Sequence, residues 1–199
     1  MSPLACRVVG VQGGSFRAFD RSMGGPRQYT SLCASLLRGR VLEDLRVGAV
    51  LVDGLDSTEV LLGLVEGWSF DALVLGGATF AGFNVVDPLA LVGELGVPVI
   101  VFSSRRPDME ATRKALVKHF PDWRERWRRY EALGELFELQ SPFGSVFFEV
   151  VGACREEAER ILLDQMVFGR TPEAVRIADV VAKGVSPVIQ GRGGVPRGF

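Results

Sequence analysis

Two apolar segments of this chain end in neutral residues at positions where metal chemistry would need charge. Residues 6 to 14 (CRVVGVQGG) have the pattern of a buried strand with Gln12 near its end, and residues 72 to 77 (ALVLGG) have the same pattern with Gly76. Ligands and metal ions usually bind at the carboxyl ends of neighbouring strands in an α/β domain. A glutamine offers one neutral carbonyl oxygen and a glycine offers no side chain. The pattern therefore predicts the shape of an active site without its carboxylates.

Two carboxylates that follow the third predicted strand form an alternative set of ligands. Asp53 and Asp56 would lie near the rim of the sheet and replace the missing acids from a different direction. Asp53-Gly54 is also a common turn pair, and Asp56 or Ser57 can cap the helix that follows. We favour the turn and capping roles, and keep Asp53 as a candidate metal ligand.

A glycine-bearing loop is the best candidate for a pocket. Thr79, Phe80, Gly82 and Asn84 lie between a buried strand and the start of a helix, where backbone N–H groups can hold an anion such as phosphate. The other interpretation is that the glycines allow a tight crossover and the phenylalanines pack in the core. The sequence leaves both interpretations open.

Two groups of arginines are candidate phosphate contacts. Arg105 and Arg106 leave the fifth predicted strand at the same edge of the sheet as the glycine-bearing loop. Four more arginines are interleaved with Trp123, Trp127 and Tyr130, which would give a basic face with aromatic stacking partners. The spacing is more typical of an amphipathic helix whose aromatic stripe faces the core, and we favour that arrangement.

Composition sets the class of protein without identifying a partner. The 199 residues are 47% hydrophobic and carry 23 basic against 24 acidic side chains, so no global positive field favours nucleic acid. The three cysteines form no CxxC pair and predict buried thiols. No run of about 18 apolar residues exists, so we expect a soluble, cytoplasmic protein. The lone His119 and the lack of P-loop, dinucleotide or Ser-His-Asp motifs argue against those enzyme classes.

The elements that must position these residues alternate along the chain. Residues 28 to 37 and 41 to 52 predict a hairpin, which makes the first three strands antiparallel neighbours. The later segments form βαβ units and close with helices. The other predicted elements are a helix from Ser57, strand 71–76, helix 88–95, strand 97–102, helices 108–118 and 121–133, strands 134–139 and 145–152, and helices 155–167 and 172–183.

This order of elements predicts an α/β domain of the ribonuclease H-like fold, with a mixed five-stranded sheet and flanking helices. We expect one domain over residues 1–188 and a flexible C-terminal tail over residues 189–199, whose composition is typical of a mobile end. In such folds, acidic residues from the first strand, the fourth strand and a late helix hold divalent metal ions for phosphodiester chemistry. The fold alone does not establish that chemistry.

Three segments carry a resemblance to a known family. They are VDGLDSTE at 52–59, GATFAGFNVVD at 77–87 and PEAVRIAD at 172–179. Through them, and over about residues 5 to 188, the chain resembles the archaeal domain of unknown function family 99, also called uncharacterised protein family 0215. That family is similar to endonuclease V, a magnesium-dependent nuclease with a ribonuclease H-like fold that cuts near deaminated bases.

The resemblance implies a metal site that this chain keeps only in part. Family members usually have an aspartate at the positions of Gln12 and Gly76, whereas the Pro-x-x-x-Arg-x-Ala-Asp pattern survives and places Asp179 at a ligand position. The same pattern carries Arg176, a candidate ligand contact. We expect Mg2+ binding and nuclease activity to be weak or absent, with a nucleic-acid or nucleotide-binding cleft retained. The alternatives are an active endonuclease with relocated carboxylates, using Asp179 with Asp53 or Asp56, and a non-catalytic partner-binding protein.

Overall fold

The computed structural model describes residues 6–16 and 28–191. The strands are β1 (Arg7–Gly13), β2 (Tyr29–Arg38), β3 (Val41–Leu51), β4 (Ala72–Leu75), β5 (Thr79–Phe80), β6 (Asn84–Val85), β7 (Val99–Ser103), β8 (Phe137–Ser141) and β9 (Gly144–Val151). The helices are α1 (Ser57–Val65), α2 (Pro88–Leu95), α3 (Met109–His119), α4 (Trp123–Glu131), α5 (Arg155–Gln165) and α6 (Glu173–Gly191). Local signals set several of these bounds. At α2, the Asp87 carboxylate accepts the N–H groups of Leu89 and Ala90, and Gly96 ends the helix at φ 66°.

Seven of the described strands form one mixed sheet in the order β3-β2-β1-β4-β7-β9-β8. The predicted antiparallel pairing of the first three strands is confirmed, and β1, β4 and β7 run parallel. The predicted count of five strands is corrected to seven, because β9 pairs antiparallel with β7 and β8 pairs with β9. The added pair covers β7, whose backbone groups would otherwise form an open edge.

Helices cover both faces of the sheet. Because successive strand residues point to opposite faces, each central strand contributes to two cores. Val9 and Leu73 face one core, which α1 and α2 complete, whereas Val8, Val74 and Ile100 face a second core completed by α5 and α6. The carboxyl ends of β1, β4 and β7 therefore meet at one edge of the sheet, with α6 beside them on the second face.

Helix α6 packs against β1 and β2 at a point where no side chain fits between them. A Cβ added at Gly10 would lie 2.1 Å from the carbonyl carbon of Ala174, in the first turn of α6. Ser35, which is opposite Gly10 on β2, donates its hydroxyl to the Ala174 oxygen at 2.7 Å. This contact fixes the start of α6 over the end of the sheet that carries Gln12.

Helix α6 is longer than its sequence pattern predicted. It continues to Gly191, past the predicted end at residue 183, because its buried face persists through Ser186 and Ile189. Residues 192–199, the rest of the expected tail, lie outside the described residues. No helix in the part of the chain that the structure describes is long and apolar enough to cross a membrane.

The fourth helix, α4, faces the protein with Tyr130 and Arg126. Tyr130 packs against the first core, and the Trp127 ring centroid lies 5.9 Å from that of Tyr130. Arg126 is buried, and its Nη1 donates to the carbonyl oxygens of Gly54 at 2.8 Å and Phe83 at 2.6 Å. The expected core-facing aromatic stripe with solvated arginines opposite is therefore met by Tyr130 and corrected at Arg126, while Trp123 and Trp127 are half-buried beside Arg113.

Candidate functional site

A cavity of about 280 Å³ opens at the carboxyl ends of β1, β4 and β7. Helix α6 and the loop before it complete the wall. The lining residues are Gln12, Gly76, Gly77, Phe102, Ser103, Ser104, Thr171, Val175, Asp179 and Lys183. Gln12, Gly76 and Asp179, the three positions singled out from the sequence, therefore share one cavity, although their roles stay predictions.

Strand register brings Gln12 and Gly76 together. Val11 is opposite Leu75 in the parallel pair, and the N–H of Gly76 donates to the Val11 oxygen at 2.9 Å. The Gln12 side chain then reaches across to β4, where its Nε2 donates to the Gly76 oxygen at 3.3 Å. Its Oε1 accepts from the N–H of Gly13 at 2.9 Å, so both ends of the amide are engaged.

The amide of Gln12 occupies the space that a side chain at position 76 would need. A Cβ added at Gly76 would lie 2.5 Å from Gln12 Nε2 and 2.9 Å from Val175 Cγ1. Protein interiors are close-packed, so an aspartate at position 76 would have to displace the glutamine amide. Glutamine at position 12 and glycine at position 76 are thus sterically compatible with each other.

The remaining acid of the cavity is paired with a lysine. Lys183 Nζ lies 2.7 Å from Asp179 Oδ2, one helical turn further along α6. A partly exposed pair of this kind adds little to stability. Its consequence for the cavity is electrostatic, because the ammonium offsets the one carboxylate in the lining.

These donors do not fit a magnesium site. Mg2+ is usually held by one or two carboxylates together with waters or phosphate oxygens. Here Gln12 Oε1 already accepts a backbone N–H, Gly76 has no side chain, and Asp179 is paired with Lys183. Within residues 6–16 and 28–191, no three His, Cys, Asp or Glu side chains are placed to hold a metal ion together.

Asp53 and Asp56 lie in the turn after β3 and are not among the residues that line the cavity. Asp53 has φ 58°, and its carboxylate accepts the N–H of Phe83 at 2.9 Å. Asp56 makes no capping bond to α1; its carboxylate accepts from Leu51 N–H at 3.2 Å and from the Asn84 amide. These contacts favour the turn interpretation, and the metal role of Asp53 stays a prediction without support from the cavity.

The glycine-bearing loop predicted as a pocket is folded into the β5–β6 hairpin. Phe80 and Asn84 are buried, and the Asn84 amide oxygen accepts the N–H of Ser57 at the start of α1. Gly82 turns at φ 79°, and a Cβ there would overlap the Asp53 carboxylate. Of the four candidates, Thr79 lines the neighbouring cavity described below. The burial favours a structural role for Phe80 and Asn84.

The candidate arginines lie near the cavity but make different contacts. Arg105 and Arg106 are exposed in the loop that follows the lining residues Ser103 and Ser104. Arg176 is exposed on α6, where its guanidinium binds both oxygens of Glu173 at 2.7 Å. This pairing holds the pKa of Arg176 above its usual value and fixes the side chain at the surface.

A second cavity of about 160 Å³ adjoins the first and encloses a buried acid. The two cavities share Gly77 and Ser103. Glu149 of β9, only 7% exposed, lies in the wall together with Thr79 and Tyr130. Loss of hydration raises the pKa of the Glu149 carboxyl to about 7, and burial raises the pKa of Tyr130 to about 12.

Lys183 and Glu149 were not identified from the sequence, although each has a recognisable signal. Lys183 follows Asp179 by four residues on a predicted helix, which is the spacing of a helical ion pair. Glu149 is the only acid in the apolar run VFFEVV of a predicted strand. A lone charge among apolar strand residues is unusual unless it is paired or functional.

Sequence comparison connects the chain to archaeal proteins. A family model described as Endonuclease dU matches residues 5–186. The UPF0215 protein of Thermococcus gammatolerans is 37% identical over 183 residues, which cover 90% of this chain and 91% of that protein. The UPF0215 protein of Pyrococcus furiosus is 39% identical over 140 residues, which cover 68% of this chain and 71% of that protein. The resemblance predicted from the three sequence segments is confirmed.

Structural comparison gives the same relation at the level of the fold. A protein of unknown function from Archaeoglobus fulgidus has a TM-score of 0.78 at 27% identity, covering 91% of this chain and 98% of that chain. Endonuclease V of Ciona intestinalis was solved in complex with a 24mer DNA containing an inosine followed by a ribo-adenosine. It has a TM-score of 0.56 at 13% identity, covering 92% of this chain and 86% of that chain. The chain therefore shares the mixed α/β fold of endonuclease V.

Proposed function

We propose that this chain, which belongs to the Endonuclease dU family, binds nucleic acid at the cavity beside Gln12 and no longer cleaves it with metal ions. One observation carries the proposal: the Gln12 amide lies across Gly76, where the family's acids would be, while Lys183 neutralises Asp179. A site of this kind keeps the shape of a nuclease cleft and lacks the negative charge that two metal ions need.

The topology supports placing the ligand at this cavity. The strand order β3-β2-β1-β4-β7 agrees with the ribonuclease H-like sheet expected from the sequence, with β9 and β8 as an extension. The cavity lies at the carboxyl ends of the parallel strands, which is the usual ligand position in an α/β sheet. We therefore place the binding cleft where a ribonuclease H-like nuclease would hold its metal ions.

Cations at the mouth of the cavity support a polyanionic ligand. Lys183 and Asp179 offset each other in the lining, and the exposed arginines Arg105, Arg106 and Arg170 on the loops beside it add positive charge. Phosphate contacts from lysine and arginine supply the sequence-independent part of nucleic-acid affinity. The DNA bound to the Ciona intestinalis endonuclease V, a protein of the same fold, supports the same class of ligand.

The first test separates binding from cleavage. Labelled single-stranded and duplex oligonucleotides, with and without deoxyuridine or inosine, are incubated with the protein in Mg2+ or Mn2+ at low salt. We expect binding that weakens as salt rises and no nicking in either metal, because the cavity offers one lysine-paired carboxylate. Metal-dependent nicking that is lost in Asp179→Ala would establish an active, relocated site instead. A wild-type protein that binds no strand at any salt would direct the search to protein partners.

A second test locates the nucleic acid in the cavity. Lys183→Met should weaken binding by roughly ten-fold at low salt and lower the slope of log affinity against log salt by about 1, because it leaves the Asp179 carboxylate uncompensated in the lining. Lys118→Met, at an exposed position of α3, is the matched control and should leave both quantities unchanged. Equal effects of the two substitutions would mean that only the general charge of the protein attracts the strand.

A further inference from the structure

Phe168 is an exposed apolar side chain in the loop that leads to the cavity residue Thr171. It is 78% exposed, the highest value among the large hydrophobic side chains that the structure describes. It lies in the loop between the end of α5 at Gln165 and the start of α6 at Glu173. Single exposed apolar residues are common, so the position of this ring decides its meaning.

The loop that carries Phe168 borders the mouth of the cavity on two sides. Thr171, three residues after the ring, is part of the lining. Arg170 reaches across to the opposite wall, where its Nη1 lies 3.5 Å from the carbonyl oxygen of Ser104. The loop between α5 and α6 thus contacts the end of β7 through Arg170, and Phe168 lies two residues before that arginine.

The Phe168 ring lies beside the guanidinium group of Arg176. The guanidinium carbon of Arg176 lies 5.8 Å from the Phe168 ring centroid. Because both oxygens of Glu173 bind Arg176, the guanidinium stays beside the ring without contributing a free charge. An exposed aromatic face accompanied by the exposed cations Arg170 and Arg105 combines the two features that bind a single strand, which are stacking and a positive groove.

We propose that Phe168 is the stacking platform for one base of a single strand whose phosphates lie along Arg170 and Arg105. The inference rests on the proposed nucleic-acid binding and adds the form of the ligand. Bases in a duplex are stacked on each other and present no free face, so an unpaired strand is the ligand that the ring can recognise. Every base has an aromatic face, so this contact tolerates any sequence.

The test measures the affinity of the full chain for a short fluorescein-labelled oligothymidine strand by fluorescence anisotropy. Phe168→Ala should weaken binding by about five-fold or more. Phe168→Trp should restore the wild-type affinity or exceed it, because the larger ring stacks at least as well. Leu89→Ala is the matched control: Leu89 is 59% exposed on α2, away from the cavity lining, and its loss should not change the affinity.

A strand of the same length made of abasic units separates stacking from other effects. On this strand the wild type and Phe168→Ala should bind equally, because no base is present to stack. An unchanged affinity of Phe168→Ala for oligothymidine, or an equal loss on the abasic strand, would overturn the platform while leaving nucleic-acid binding intact. Failure of the wild type to bind either strand would overturn the proposed function itself and the platform with it.

Discussion

Replacing Gly10 with alanine should destabilise the protein by about 4 kcal/mol or more, near the upper end for one substitution. The added methyl would lie 2.1 Å from the Ala174 carbonyl carbon and 2.4 Å from the Val175 nitrogen. Both contacts are with the backbone of α6, so no side chain can turn away to make room. The helix would have to move off β1, which also breaks the Ser35 hydroxyl bond to the Ala174 oxygen.

The measurement is the free energy of unfolding from denaturant titration at neutral pH. Gly63→Ala is the matched control, since an added Cβ at that exposed position of α1 meets no atom within 4 Å. In a helix interior this control should stabilise the protein by up to about 1 kcal/mol. A Gly10→Ala protein within about 1 kcal/mol of the wild type would show that α6 can move at small cost. The cavity would then be less rigidly built than the packing indicates.

Glu149→Gln should raise the free energy of unfolding by up to about 3 kcal/mol above pH 8 and leave it unchanged below about pH 4. The pKa of the carboxyl is raised from an ordinary 4.5 to about 7 in the folded protein by loss of hydration. Between these two pH values the folded state holds a proton that the unfolded state has released. The stability of the wild type therefore falls as pH rises through this window and is constant above it, whereas a neutral glutamine does not titrate.

The pH dependence of unfolding for wild type and variant tests this assignment. Tyr130, the other titratable side chain in the wall of the same cavity, stays protonated because burial raises its pKa to about 12. Glu94→Gln, at an exposed position of α2, serves as the control for the removal of one carboxylate. Parallel profiles for the wild type and Glu149→Gln would show that the acid is hydrated in solution.

The candidate cavity lies between the close contact of Gly10 with α6 and the buried carboxyl group of Glu149. Val175, one residue after the Ala174 that contacts Gly10, lies in its lining and also limits the space at Gly76. On the other side, Gly77 and Ser103 separate it from the cavity that holds Glu149. The close packing at Gly10 therefore fixes one wall of the cavity, and the buried acid lies behind another.

Local patterns in the sequence determined the elements and the general position of the site. Alternating apolar residues identified the strands, Asp87 and Pro88 marked the start of α2, and Gln12 and Gly76 were expected at the carboxyl ends of neighbouring strands. These features depend on backbone periodicity and on contacts between residues close in the chain, which a sequence displays directly. The family resemblance added the position of Asp179.

Only the tertiary structure decided what those positions can do. The Gln12 amide spans to Gly76, 64 residues away, and Arg126 fixes the hairpin that a loop pattern had suggested as a pocket. Whether Glu149 faces a cavity or a paired cation depends on which strand lies beside β9. Such contacts arise from the packing of segments far apart in the chain, and many side chains would satisfy the same local pattern. The sequence thus showed which residues stand at the ends of these strands, and the long-range packing decided which groups those residues contact there.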